Sequence, residues 1–385
     1  MNFFCLQIKR FFFCGLILLP SLSFAQLIGG NNGGAVNSNG TNQATAIQTA
    51  VPFLLITPDS RSGAMGEAGV ALSPDANSSF WNPSKLAFVE PSNSISVNYS
   101  PWLRSLIPDV TLSYLGYAHK LDDRNTIGAS IRYFNVGTLE ATDINQNFQG
   151  YFISSEYSID ASFARSFGQD FSIGLTARYI RSNLSNGYSA SGVTAKPGNA
   201  LAADASMYYK TQVQQFGNDG TFSFGANISN IGTKISYSTN GNKYFLPTNL
   251  KIGIADMINL DEVNSFTFAF DINKLLVPTK PNSDVSVPSG LFGSFTDASF
   301  TEEMQELSFS PGVEYWYNKL FALRAGYYYQ NPNKGGLHYL TLGTGFKYQD
   351  FAFDFSYIAA SQQSSPLANT LRFTLSANFG STTKQ

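Results

Sequence analysis

Residues 371–379 read LRFTLSANF. Leu371, Phe373, Leu375, Ala377 and Phe379 take one set of alternate positions, and Arg372, Thr374, Ser376 and Asn378 take the other. Successive side chains of a β-strand point to opposite faces, so as a strand this stretch has one apolar and one polar face. The alternation recurs upstream. Phe351, Phe353, Phe355 and Tyr357 oppose Asp354 and Ser356, and Phe321, Leu323, Ala325 and Tyr327 oppose Arg324 and Gly326. Phe266, Phe268 and Phe270 oppose Thr267 and Asp271, and Phe171, Ile173, Leu175 and Ala177 oppose Ser172, Thr176 and Arg178. Ile127, Ala129, Ile131 and Tyr133 oppose Ser130 and Arg132. About fourteen such segments follow Ser94, each near the ~10 residues a tilted strand needs to cross a bilayer.

The connections carry a second rhythm. Short ones fall near Leu121–Arg124, Gly168-Gln169, Asn318-Lys319 and Gln349-Asp350. Between them lie long ones near Gly137–Tyr151, Asn183–Asn199, Ile231–Tyr244, Asn273–Glu306, Gln330–Leu337 and Ala359–Ala368. Short turns at one end and long loops at the other is the arrangement of outer-membrane barrels. Composition agrees: aromatic residues make up 15% and charged residues only 13%, a load a soluble sandwich does not need. The expected fold is therefore all-β, a transmembrane antiparallel barrel of about 14 strands over residues 93–385. The long loops are expected outside a Gram-negative cell and the short turns in the periplasm.

Alternation also sorts the charges. Arg132, Asp160, Arg178, Asp204, Lys251, Asp271, Glu314, Arg324, Asp354 and Arg372 all fall on the lumen face. Facing lipid, a mid-membrane Arg or Lys costs about 2–4 kcal/mol. Facing inward, these groups can pair with one another or with backbone, and a structural network is favoured over a ligand site.

Residues 1–25 have the form of a secretory signal: Lys9 and Arg10, an apolar core Phe11–Leu19, Pro20, then Ser23-Phe24-Ala25 as the cleavage site. Its removal takes both cysteines, Cys5 and Cys14, and changes the formal net charge from −2 to −4. No disulfide, thiolate metal site or nucleic-acid-binding character is then expected. Residues 26–50, rich in Gly, Asn, Thr and Gln, read as a flexible leader.

Residues 61–88, RSGAMGEAGVALSPDANSSFWNPSKLAF, are the stretch without strand pattern. Gly63, Gly66 and Gly69 suit tight backbone turns and close contacts. Trp81 precedes Asn82-Pro83, and Pro83 cannot donate to a ladder and excludes Asn82 from helical geometry. A dinucleotide fingerprint would need a βαβ unit around these glycines, and the downstream pattern is all strand. A fourteen-strand lumen is too wide for its own side chains to fill. Residues 51–92 are therefore expected to form a hatch, or plug, inside the barrel. The two histidines, His119 and His338, have no ligand at metal spacing, and no nucleophile elbow is recognisable. The chain does not read as an enzyme, and no cofactor or metal is expected.

The stretch Gly63–Ala71 (GAMGEAGVA) followed by Asp75–Ser84 (DANSSFWNPS) resembles the hatch of FadL-type outer-membrane transporters. Those have a fourteen-strand barrel and an Asn-Pro-Ala in the hatch; Asn82-Pro83 match, and Ser84 replaces the alanine. With Val51–Ser62 (VPFLLITPDSRS), Tyr99-Ser100-Pro101-Trp102 and the Leu121–Phe134 turn and strand, the chain more closely resembles the FadL-like PorV family of type IX secretion in Bacteroidetes. The resemblance implies a barrel that collects cargo bearing a C-terminal signal domain at the translocon SprA. It implies delivery of that cargo to a PorU-like sortase attachment complex on the cell surface.

The other function class is a FadL-type transporter of hydrophobic small molecules. A transporter needs an apolar lumen pocket, and a shuttle needs apolar surface on its loops. Trp102, Leu103, Leu106 and Ile107 lie between the first two strands, and Leu291, Phe292 and Phe295 lie in the 273–306 connection. These are the candidate partner-binding residues. Leu275, Leu276, Val277 and Phe300 add to the apolar content of the same connection.

Overall fold

The computed structural model describes residues 47–102, 109–142, 147–184, 195–238, 241–279, 284–360, 367 and 369–380. Fourteen antiparallel strands form a closed barrel in which each strand pairs with its sequence neighbours. They are β1 (Asn93–Pro101), β2 (Thr111–Lys120), β3 (Asn125–Thr142), β4 (Phe148–Phe167), β5 (Phe171–Asn183), β6 (Gly198–Gln215) and β7 (Asn218–Gly232), followed by β8 (Asn249–Asn259), β9 (Asn264–Leu275), β10 (Ser308–Tyr317), β11 (Phe321–Gln330), β12 (His338–Tyr348), β13 (Phe351–Ala360) and β14 (Leu371–Phe379). The first and last strands seal the ring, from Asn93 opposite Phe379 to Tyr99 opposite Phe373. Closure leaves no edge strand with unpaired N–H and C=O groups, the condition for a sheet to stand in hydrocarbon. Among the described residues no helix is long and apolar enough to cross a membrane.

Burial alternates along the strands, with polar side chains on the buried face. On β5, Ser172, Thr176 and Arg178 are buried while Ile173 and Leu175 are exposed. On β14, Arg372 and Thr374 are buried and Leu375 is 53% exposed. The polar face lines the lumen and the apolar face forms the outer wall. Leu375→Arg is therefore expected to cost about 2–4 kcal/mol of barrel stability. Ser376→Arg, one position along, is expected to be tolerated. Heat-shift gels of the two variants check this, and equal damage from both would overturn the facing of the wall.

The connections separate by end. Residues 121–124, 168–170, 216–217, 260–263, 318–320 and 349–350 make short turns at one end. Asn318 and Lys319 both adopt positive φ, as a tight hairpin whose twist matches its strands requires. Asp122 and Asp261 brace their turns. Each carboxylate accepts from a side-chain amide, Asn125 or Asn264, and from two backbone N–H groups. Those bonds hold both aspartates below the usual carboxylate range. The turns at 216–217 and 260–263 add to the four read from the sequence.

The connection expected at Gly137–Tyr151 is mostly strand. β3 continues to Thr142 and β4 begins at Phe148, with a bulge between Asn135 and Gly137. The glycine there suggested a turn. Gly137 instead takes a positive φ within the bulge, and the ladder resumes beyond it. The long 276–307 connection carries two short helices, α3 (Val287–Gly293) and α4 (Phe300–Gln305).

Candidate functional site

The described N-terminal residues, 47–92, pack against lumen-facing positions of the strands. Two more short helices occur here, α1 (Ser60–Gly63) and α2 (Ser78–Trp81), with 3₁₀ turns at Pro52–Leu55 and Pro83–Phe88. Asp59 caps α1 by accepting from the Ser62 N–H at 2.8 Å, and it also accepts from Trp81 Nε1 at 2.6 Å. Asn82 caps the second 3₁₀ turn, whose first residue is Pro83, where no N–H is missed. The Asn82 amide also donates to the carbonyls of Val70 and Met207, both at 3.0 Å. Gly69 lies against the Trp81 ring, leaving no room for a Cβ, and Gly66 sits at φ +67° against the backbone of Tyr327. A Cβ on Gly63 would meet the Arg372 guanidinium.

The wall is cut to receive this segment. Gly174, Gly225, Gly312, Gly326 and Gly343 belong to five different strands. A Cβ at any of them would collide with the N-terminal segment: Ser84 for Gly174, Val70 for Gly225, and Ala64 to Gly66 for the other three. Inward glycines in strands otherwise weaken a sheet, and here they give backbone room to approach. The signal was present in the sequence, since Gly326 shares a face with Arg324, but the pattern has meaning only once the occupant is known.

All ten charges assigned to the lumen face it. Six of them form two clusters of three, and the other four each contact the N-terminal segment singly. Arg178 sits between Asp160 (2.7 Å) and Asp204 (2.9 Å). Arg324 contacts Glu314 at 2.7 Å and Asp354 at 2.6 Å, and Glu314 also takes Arg61 from the N-terminal segment at 2.8 Å. Arg372 pairs with Glu67 at 2.9 Å. Asp271 accepts from the N–H groups of Gly69 and Val70 at 2.7 and 2.9 Å. Arg132 donates to the Leu54 carbonyl at 2.7 Å, and Lys251 places its ammonium 4.2 Å from the Trp81 ring. Their charged partners Arg61 and Glu67 were not singled out in the sequence. They lie in a segment without periodicity, where no face can be assigned.

The loop end has its own cluster. Lys274 bonds Glu303 at 2.7 Å and Glu306 at 2.5 Å, and Lys334 bonds Glu302 at 2.7 Å and Glu306 at 3.1 Å. Burial opposes the charge on Lys334, but the bonds to Glu302 and Glu306 outweigh it and hold its pKa above the usual lysine value. These pairs tie α4 to the end of β9 and to the 332–334 turn. Phe292 and Phe300 are 74% and 81% exposed on this tied loop, and Phe295 is exposed too. Leu291 is half-buried, and Leu276 and Val277 are buried.

Trp102 departs from its expected place on a partner surface. It is buried with Val110, Tyr339, Ile358 and Leu367, and its ring faces Arg372 at 5.8 Å. An amphipathic aromatic next to a strand end gains more by capping the lumen wall than by standing in solvent. Leu103, Leu106 and Ile107 lie outside the described residues. A cavity of about 380 Å³ opens among Leu55, Glu67, Lys251, Leu275, Tyr328 and Lys334. Among the described residues no group of three or more His, Cys, Asp or Glu is placed to hold a metal.

A closed fourteen-strand barrel with an apolar outer wall and an N-terminal segment packed on its charged lumen face defines an outer-membrane barrel of the FadL-like class. Solved structures similar to this chain are of low identity. The TodX deltaS2S3 mutant monoaromatic hydrocarbon channel aligns with 14% identity and a TM-score of 0.51, over 83% of this chain and 99% of that one. The Ralstonia pickettii toluene transporter TbuX aligns with 12% identity and a TM-score of 0.48, over 83% and 98%. The Pseudomonas putida toluene transporter TodX gives 11% identity and 0.47, over 83% and 98%. No curated protein matches the chain. The model of the family "Type IX secretion system protein PorV" matches residues 39–282. The chain belongs to that family, and it is an outer-membrane component of type IX secretion.

Proposed function

We propose that this barrel binds secreted cargo through its C-terminal signal domain at the SprA translocon and carries it to the PorU-like sortase complex on the cell surface. The observation that carries this reading is the occupied lumen. Backbone meets backbone where Gly326 adjoins Met65 and Gly66, so the described N-terminal residues occupy the space inside the ring that a passing protein would need. Cargo is then held on the outside, at the long-loop end, which faces the medium. Residues 47–92 act as a hatch that stays shut.

The docking surface in this reading is the tied 276–307 loop. Exposed Phe292, Phe295 and Phe300 are the kind of aromatic anchors that dominate interfaces, often at 2 kcal/mol or more each. Their fixed support reduces the ordering cost of binding. Changing all three to Ser is expected to lower co-purification of cargo or translocon at least tenfold while the heat-shifted barrel band is unchanged. Recovery at parental levels with a folded barrel would move the docking surface elsewhere.

The 380 Å³ cavity favours a second reading, transport of hydrophobic small molecules. Its lining weighs against it, since Glu67, Lys251, Glu306 and Lys334 are all ionisable. Gene deletion followed by cell fractionation separates the two. Loss of a shuttle strands uncleaved cargo in the periplasm, and loss of a transporter does not.

A further inference from the structure

β3 and β4 run past the rest of the wall at the loop end. β2 leaves β3 at Thr111 opposite Asn135, and β5 leaves β4 at Asn183 opposite Ser155. Beyond those points the two strands pair only with each other, from Gly137 opposite Ser154 to Thr142 opposite Phe148. The apolar outer face goes with them. Tyr151 and Ile153 share alternate positions of β4 with outward Ile159 and Phe163, and they are 68% and 59% exposed. Phe148 is exposed beside them, its ring centroid 5.0 Å from that of Tyr151.

This overhang stands above the membrane. Aromatic pairs mark both limits of the apolar band on this side of the barrel: Phe167 meets Phe171 at the turn end, and Tyr157 meets Tyr179 at the loop end. The Tyr179 hydroxyl and Arg181 Nη1 both donate to Asn199 Oδ1, polar company suited to the headgroup level. The ten positions from Tyr157 to Phe167 span about 33 Å of strand, or about 23 Å of height at a tilt near 45°. That matches the apolar band of about 25 Å in such barrels. Tyr151 lies six positions beyond Tyr157, about 14 Å higher by the same measure. An apolar face at that height meets no hydrocarbon, and such a patch calls for a partner.

Charge and continuity select the partner. Anionic lipid head groups are held by Lys and Arg, and residues 136–155 contain neither, while Glu140 stands opposite Tyr151 on the same face. A soluble protein would meet the upper patch alone. The patch continues without a break into the lipid-facing wall below it, and a neighbour that is itself embedded covers both. We propose that the outer face of the β3–β4 overhang is the lateral contact with a second outer-membrane barrel. On the shuttle reading above, on which this inference rests, that neighbour is the translocon. β4 lies six strands from β10 in the closed ring of fourteen, so the overhang is nearly opposite the 276–307 loop. The two surfaces divide the work: the overhang holds the translocon, and the loop is left for cargo.

The test places the photo-crosslinker p-benzoylphenylalanine at Tyr151 of the full chain in cells. Irradiation is expected to give an adduct that antibody against the translocon recognises. The same probe at Leu323, exposed on the far wall in β11, is expected to give none. In the second arm, Tyr151→Ser combined with Ile153→Ser is expected to lower translocon co-purification at least tenfold. The heat-shifted band and the binding of purified cargo signal domain to the solubilised variant are expected to be unchanged. No translocon adduct at Tyr151, an adduct only with lipopolysaccharide, cargo or a second copy of the barrel, or parental translocon recovery from the folded double variant would overturn the proposal. Loss of cargo binding together with the translocon would show one shared surface and overturn it too. A parent protein that brings down no translocon at all would overturn the shuttle reading itself, and this inference with it.

Discussion

A barrel carrying Gly326→Leu is expected to insert into membranes and to conduct ions in planar bilayers, where the parent protein is silent. A Cβ at this position would occupy the space of the Met65 carbonyl carbon and the Gly66 N–H. Neither can retreat cheaply, because the Gly66 N–H donates to Thr341 at 2.8 Å and the same hydroxyl donates to the Ala64 carbonyl at 2.9 Å. A leucine drives residues 64–66 off the wall and opens a water path between β11 and the segment. The strand ladder does not depend on the inward side chain, so the heat-shifted band is expected to remain. Ala325→Leu, the neighbouring outward position, should stay silent. A silent Gly326→Leu barrel would mean that the segment shifts without unsealing, and that the hatch reading rests on other contacts.

Arg178→Met is expected to cost about 3–5 kcal/mol of barrel stability, the range for removing one partner of a buried ion pair. Arg178 is buried, and both neighbouring carboxylates depend on it. Without it Asp160 and Asp204 face each other across β5 with no other cation at bonding distance among the described residues. The check is the urea or heat midpoint of the folded band. Arg178→Met combined with Asp160→Asn and Asp204→Asn should recover much of the loss, because the uncompensated charges are then gone. A single variant as stable as the parent would mean that water already solvates this cluster.

The wall was legible in the sequence because its signal is periodic. The period of two that places Arg372 within Leu371–Phe379 also assigns a face to nine charges on other strands, and in the structure all ten side chains point into the lumen. The fourteen-strand count followed from the same repetition. The interior segment was legible only by contrast, as the stretch where periodicity stops. Its contacts could not be read, since Asp59 capping α1 and receiving Trp81, or Arg61 reaching Glu314, depend on a path with no repeat. Apolar content was an unreliable guide at the loop end. It marked Trp102, Leu276 and Val277 equally with Phe292, yet the first three are buried and only the last is exposed. Apolar residues in a loop are used as readily to roof the barrel as to meet a partner.

The seam between β1 and β14 bears on the order in which this molecule assembles. Ser60 donates its N–H to Thr374 of β14 at 2.8 Å, a contact spanning 314 positions, and Thr374 also donates to Asn98 of β1 at 2.6 Å. One hydroxyl on the last strand thus touches the interior segment and the first strand at once. Contacts so distant in the chain form late, since the loop they close costs entropy that nearer contacts do not. A ring sealed around an empty centre would then have to thread the segment through its own mouth. The simpler path is that residues 47–92 gather on the growing inner surface while the sheet is still an open trough. The final strand then closes over a filled interior, so sealing the wall and setting the segment in place are a single event.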